Sequence, residues 1–134
     1  MLRSRSLRVK SAFDMLRNYG WYEWLCHSNF SFLVGASHPD EYIDRALSMG
    51  YRGLGITDFD GVYGLARAHL QLKRRRKRDL EGKDGKDSAS QRFKLIHGME
   101  LHLAQDHELP ILYQDTIVLI ARTRAAYALS LIHI

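Results

Sequence analysis

Short apolar runs alternate with one-sided helical stripes along this chain, and that alternation leaves few architectures open. Residues 21–26 (WYEWLC) are aromatic and apolar and read as a buried strand. After a loop over residues 28–37, Ser37 or His38 can cap a helix, with Pro39 in its first turn and Asp40 and Glu41 at the positive end of its dipole. Ile43, Ala46 and Leu47 fall at i, i+3 and i+4 on one face, and Gly50 is placed to end the helix. Residues 51–57 (YRGLGIT) read as a second strand, and Asp58 to Gly61 as the turn after it. Asp60 is placed to cap a second helix, whose stripe is Leu65, Ala68, His69 and Leu72. The Gly-, Ser-, Lys- and Asp-rich residues 81–90 read as a flexible loop. A third strand region over residues 93–103 is interrupted at Gly98, and a turn over residues 106–114 contains Pro110. A β-branched strand follows over residues 116–121, and a last helix begins over residues 122–128. The order β-α-β-α-β-β-α predicts an α/β fold with mostly parallel strands. A complete β/α barrel takes ~250 residues, so 134 residues hold the N-terminal part of one.

Apolar residues make up 46% and charged residues 26%, an ordinary balance for a globular domain. No apolar run approaches the ~18 residues of a membrane span, so no membrane partner is expected. The single cysteine, Cys26, excludes an internal disulfide and fits a reducing compartment. The net charge of +5 is uneven: Lys73, Arg74, Arg75, Arg76, Lys77 and Arg78 are consecutive, residues 1–17 are also strongly basic, and the remainder is acidic. A chain-wide nucleic-acid surface is therefore not indicated. The six-residue run is a candidate phosphate contact, against the plainer reading of a solvated helix end.

Three segments are expected. Residues 1–20 form a basic extension with the Arg/Ser composition of a transit peptide, and the preferred reading is an upstream start codon with Met15 as the natural start. Residues 21–128 form the folded part, with a basic insertion at 73–92. Residues 129–134 (LSLIHI) match the in-frame translation of a transposon-library sequencing adapter and are set aside from fold reasoning.

In parallel α/β folds, functional groups gather at the C-terminal ends of strands. His27 ends the first strand, Asp58 ends the second, and Glu100 lies just past Gly98. One such group per strand end is a weak pattern for a cation site. Asp58 as a turn residue, Asp60 as a helix cap and His27 as a hydrogen-bonded loop residue are the competing readings. His102 shares a strand face with Glu100, so those two side chains are a second candidate pair for a metal. His38 reads as a loop or cap residue, and His97 and His107 carry no pattern of their own.

The stretch CHSNFSFLVGASHPDEYIDRALSMGYRGLGITDFDGVYGLARAH, with KLIHGMELHLA and TIVLIARTRAAYALS after it, resembles the opening of the polymerase-and-histidinol-phosphatase (PHP) domain. It is most similar to the form that begins bacterial C-family DNA polymerases, the relatives of the DNA polymerase III alpha subunit, and within them to the error-prone branch. The resemblance spans residues 22–128 and leaves the stretch from Lys73 to Gln91 without a counterpart. It implies a PHP-type barrel and a domain of a DNA-synthesising enzyme active in translesion synthesis and repair. It also implies a cytoplasmic location, DNA and other polymerase or mutagenesis subunits as partners, and magnesium in the parent polymerase.

In the metal-bearing form of that family the first motif is His-x-His, and here it reads Leu25-Cys26-His27. A further family histidine falls near Leu33, and the family's Thr-Asp-His becomes Thr57-Asp58-Phe59. Glu100 matches the Gly-x-Glu ligand. Leucine and phenylalanine have no lone pair to offer, and a hydrolytic centre needs several N or O donors plus an open position. The expectation is therefore a degenerate, structural site with remnants at His27 and Glu100, no catalytic residue and no cofactor in this chain. Leu25, Leu33 and Phe59 are expected to fill the vacated polar pocket. The competing functions are a metal-dependent phosphoesterase of the histidinol-phosphatase kind and a non-catalytic basic nucleic-acid-binding module. An incomplete barrel leaves apolar surface uncovered, so the chain in isolation is expected to aggregate.

Overall fold

The computed structural model describes residues 20–82, 88–103 and 115–132. The elements run β1 (Tyr22–Glu23), α1 (Pro39–Ser48), β2 (Gly53–Ile56), α2 (Tyr63–Glu81), α3 (Ala89–Arg92), β3 (Lys94–His102), β4 (Thr116–Ile120) and α4 (Arg124–Ile132). One four-stranded sheet has the order β1-β2-β3-β4. β1 and β3 flank β2 in parallel, and β4 runs antiparallel to β3. The sheet is thus α/β and mostly parallel, as the alternation predicts. The core lies between β2, α1 and α2, where Ile43, Ala46, Leu54, Ile56, Leu65, Ala68, Leu72 and Phe93 are buried. Each of the larger side chains contributes about 1.5–3 kcal/mol by leaving water.

The helix starts and stops follow local chemistry. The backbone N–H of His38 donates to Glu41 Oε2 at 2.8 Å, closing the first turn of α1. At the other end Gly50 takes φ +79°, the Gly50 N–H bonds the Leu47 carbonyl, and the Tyr51 N–H bonds the Ala46 carbonyl. That pair of bonds satisfies carbonyls that the helix would leave open and points the chain into β2.

Several expectations change. The first strand is only two residues long, and Trp21 and Trp24 are 50% and 51% exposed. The Glu23 carboxylate takes the N–H groups of Trp24 and Leu25, which interrupts the ladder before the Thr57 N–H bonds the Cys26 carbonyl. Gly98 does not interrupt β3. It marks the point where the β4 ladder begins, while the chain after β2 stays bonded on the other side at Glu100. His69 is exposed, so the buried stripe of α2 is narrower than predicted. α2 carries the whole basic run and ends at Glu81. Ser88 then caps α3, accepting from the Gln91 N–H, and Ser88 and Ser90 are buried rather than in a flexible loop. The expected turn over residues 106–114, the extension over residues 1–19 and residues 83–87 of the loop lie outside the described residues.

Candidate functional site

His27 and Glu100, 73 residues apart, meet at the C-terminal ends of the parallel strands. The Tyr42 hydroxyl of α1 donates to the His27 carbonyl at 3.1 Å and fixes the chain there. His27 Nε2 then lies 2.8 Å from Glu100 Oε2, with the two side chains 23% and 15% exposed. The other Glu100 oxygen accepts from Thr116 Oγ1 at 2.6 Å. Backbone bonds from the Glu100 N–H to the Asp58 carbonyl and from the Asp60 N–H to the Glu100 carbonyl extend the β2–β3 pairing past Ile56. They hold Phe59 beside the pair. Its ring stacks on His27 at 4.6 Å between centroids and contacts His102 at 4.8 Å.

Asp58 does not join this cluster. It is fully buried, and its carboxylate accepts from the Ser28 N–H at 2.6 Å, from Ser28 Oγ at 2.8 Å and from Ser31 Oγ at 2.9 Å. The helix α2 begins against it: a Cβ on Gly64 would sit 2.4 Å from Asp58 Oδ2. Ser31 Oγ also accepts from the Phe59 N–H at 3.1 Å. Asp58 therefore ties the loop after β1 to the end of β2 and to the positive end of a helix. Ser28, Ser31 and Thr116 carry no signal in the sequence, because serine and threonine in a loop or at a strand start are unremarkable until the carboxylate they serve is located.

Asp60 is not the cap of α2. It has φ +50° and pairs with His102, Oδ2 to Nδ1 at 2.7 Å, while its Oδ1 accepts the His102 N–H at 3.1 Å. Val62 takes the cap position without a side-chain bond. His102 is thereby separated from Glu100, and among the described residues its buried Nε2 has no hydrogen-bond partner.

Among the described residues, no three His, Cys, Asp or Glu side chains come together to hold a metal ion. His27 and Glu100 are bonded to each other, and Phe59 presents carbon where a third donor is needed. Among the described residues, the donors that come together do not fit a multinuclear centre. The expectation that all three apolar replacements fill the pocket fails for two of them. Leu25 is 52% exposed and Leu33 is 84% exposed, and Leu33 has φ +64°. Only Phe59 packs against the remnant donors.

The basic run divides by helical phase. Arg75 Nε donates to Asp44 Oδ1 at 2.6 Å, and Gln71 holds the other Asp44 oxygen. Burial alone would raise the Asp44 pKa, but the bonds from Arg75 and Gln71 and the charges of Arg75 and Arg78 hold it below its ordinary value. Arg76 donates to the carbonyls of Ser90 and Phe93. Lys73, Arg74, Lys77 and Arg78 are exposed.

A curled, mostly parallel sheet with a histidine and a carboxylate at its strand ends is the architecture of β/α half-barrels. Among solved structures it is similar to an amidohydrolase from Chromobacterium violaceum, with TM-score 0.50 and 24% identity over 80% of this chain and 31% of that one. A protein described as a metal-dependent phosphoesterase from Bifidobacterium adolescentis matches with TM-score 0.51 and 17% identity, over 82% of this chain and 32% of that one. At these identities the likeness shows the fold alone. The PHP domain matches residues 24–134, and the chain belongs to that family. It is 38% identical over 111 residues to an error-prone DNA polymerase of Azoarcus sp. (strain BH72), covering 76% of this chain and 10% of that protein. An error-prone DNA polymerase of Hahella chejuensis is 44% identical over 77 residues, 58% of this chain and 7% of that protein. The chain thus spans about a tenth or less of the length of these relatives.

Proposed function

We propose that this chain is the N-terminal PHP part of an error-prone DNA polymerase, and that its ancestral metal site is a structural remnant. The parent enzyme would be a nucleotidyltransferase using magnesium in DNA-templated synthesis past damage, in the cytoplasm, with DNA and other polymerase or mutagenesis subunits as partners. This chain supplies none of the nucleotidyl-transfer residues. Its part is to scaffold the enzyme, with residues 21–128 as the domain and 73–92 as an insertion in it. Among the described residues no helix is long and apolar enough to cross a membrane.

One observation carries the remnant reading. The two surviving donors are satisfied by each other at 2.8 Å, and a phenyl ring stacks on the histidine. A phosphoesterase of the histidinol-phosphatase kind needs a bound cation with an open position for water, and this arrangement supplies neither the donor count nor the opening. Two measurements test the proposal. Sequencing the gene past codon 128 should give a long polymerase frame, and a stop after a barrel-sized domain would overturn the polymerase reading. Elemental analysis of the purified full-length protein should give substoichiometric zinc and manganese, and one or more equivalents would overturn the remnant reading.

A further inference from the structure

Six consecutive cations on a helix cannot all do the same thing, because successive residues turn by about 100°. Arg75 and Arg76 flank the buried stripe of Leu65, Ala68 and Leu72 and are consumed by Asp44 and by the carbonyls of Ser90 and Phe93. They fasten α2 to α1 and to α3. Lys73, Arg74, Lys77 and Arg78 fall within an arc of about 140° centred opposite that stripe, and all four are exposed. Among the described residues the one carboxylate paired with this set is Glu81, 3.8 Å from Lys77.

Folding accounts for only part of this face, through the Arg78 charge on Asp44 and the Lys77–Glu81 pair. Lys73–Lys77 and Arg74–Arg78 are like charges at i, i+4, and each pair costs the helix about 0.2–0.5 kcal/mol. The helix dipole favours cations only in the last turn, which contains Arg78 but neither Lys73 nor Arg74. The arrangement becomes favourable when an external polyanion neutralises it. Four charges over about 7.5 Å of helix axis are close to the density of duplex DNA, one per about 1.7 Å, and about twice that of a single strand. No aromatic side chain lies among the four, so the face has no platform for stacking unpaired bases.

We propose that the Lys73, Arg74, Lys77 and Arg78 face of α2 binds the phosphodiester backbone of duplex DNA without sequence preference. The choice of DNA as the polyanion rests on the polymerase reading above. The charge argument does not.

The test is fluorescence anisotropy of the purified full-length protein with a labelled duplex between 50 and 200 mM salt. Four phosphate contacts predict a slope of log K on log salt near −3.6 from this face, or about 100-fold weaker binding across that range. The quadruple variant K73Q/R74Q/K77Q/R78Q should lose that slope, and residues 1–19, common to both proteins, cancel in the difference. Its thermal midpoint should match or exceed the parent's, since like-charge repulsion is relieved. If the quadruple variant unfolds, the pairs K73Q/K77Q and R74Q/R78Q are measured separately, each with an expected loss of about 1.8 in slope. An unchanged slope overturns the proposal. So does displacement of the labelled duplex by polyglutamate as effective, charge for charge, as by unlabelled duplex, which would mark a surface for acidic protein. Loss of slope in a chain whose gene holds no polymerase frame keeps the DNA surface and removes the polymerase reading. A polymerase frame with an unchanged slope does the reverse.

Discussion

Removing the Asp58 carboxylate should cost more stability than any exposed substitution in this chain. Asp58, Ser28 and Ser31 are 0%, 0% and 1% exposed, so water does not substitute for a lost bond without rearrangement. In Asp58→Ala three donors lose their acceptor: the Ser28 N–H, the Ser28 hydroxyl and the Ser31 hydroxyl. Bonds to a charged acceptor are worth about 1.5–3 kcal/mol each. Part of that sum is returned, because a buried carboxylate no longer has to be desolvated. A net loss of about 3–5 kcal/mol remains, against a total of about 5–15 kcal/mol for a domain. Asp58→Asn keeps the shape and one acceptor oxygen, and the Ser28 hydroxyl can turn to accept from the new amide. Its loss is the charge assistance, about 1–2 kcal/mol.

Thermal denaturation followed by circular dichroism gives the midpoints of both variants, and urea denaturation gives their free energies. The expected order is Ala well below Asn, and Asn below the parent by roughly 5–15 °C in thermal midpoint. Crossing Asp58→Asn with Ser31→Ala should give a coupling above about 0.5 kcal/mol, because the two residues share one bond. An Asn variant within about 2 °C of the parent, or strict additivity with Ser31→Ala, would refute the account of Asp58 as a tie between loop, strand and helix. A ligand role for Asp58 predicts the opposite profile, with metal content changing and stability holding.

Gly64→Ala acts on the same tie from the helix side. Its Cβ would lie 2.4 Å from Asp58 Oδ2 and 2.9 Å from Ser28 Oγ, so the Ala variant should melt lower despite alanine's better helix propensity, and a higher midpoint would show that the contact relaxes freely. His97 is held below its ordinary value by burial and by the neighbouring His69. A depressed imidazole pKa makes the unfolded chain bind the proton more readily, so this contribution is complete above pH ~6.5 and is lost as pH falls from there through the folded value. Urea midpoints of the parent should therefore drop more steeply from pH 7.5 to pH 5 than those of His97→Gln, and parallel curves would refute it. Burial, with the charges of Glu23 and Asp58, pushes the Cys26 thiol up to about 11. Iodoacetamide at pH 8 should label it on the order of 100-fold more slowly in the native chain than in urea, in proportion to thiolate, and equal rates would contradict its burial.

The elements that local chemistry decides were legible in the sequence. Pro39, the Ile43–Ala46 face and Gly50 place α1 within a residue or two, because a cap, a stripe and a left-handed glycine act over one or two turns. What depended on distant partners was not. The ladder of β1 is interrupted by the Glu23 side chain. The continuation of β3 through Gly98 is set by the β4 ladder that begins there. Asp60 looked like a helix cap because its spacing from Leu65 is right, yet its partner is His102, 42 residues away.

The three apolar positions where the resemblance led us to expect donors were equally visible in the sequence, and they are physically unequal. Leu25 and Leu33 are exposed, so at those two places the replacement removes a donor and puts nothing into the site. Phe59 is different. Its N–H is held by Ser31 Oγ, it bridges to Glu100 in the sheet, and its ring touches both His27 and His102. The backbone at Phe59 thus aims a phenyl ring at His27. Loss at Leu25 and Leu33 alone would leave a depleted but open site. The change at Phe59 covers a face of His27 and leaves Glu100 as its hydrogen-bonding partner, which converts two ligand positions into a packed crosslink between the loop after β1 and β3.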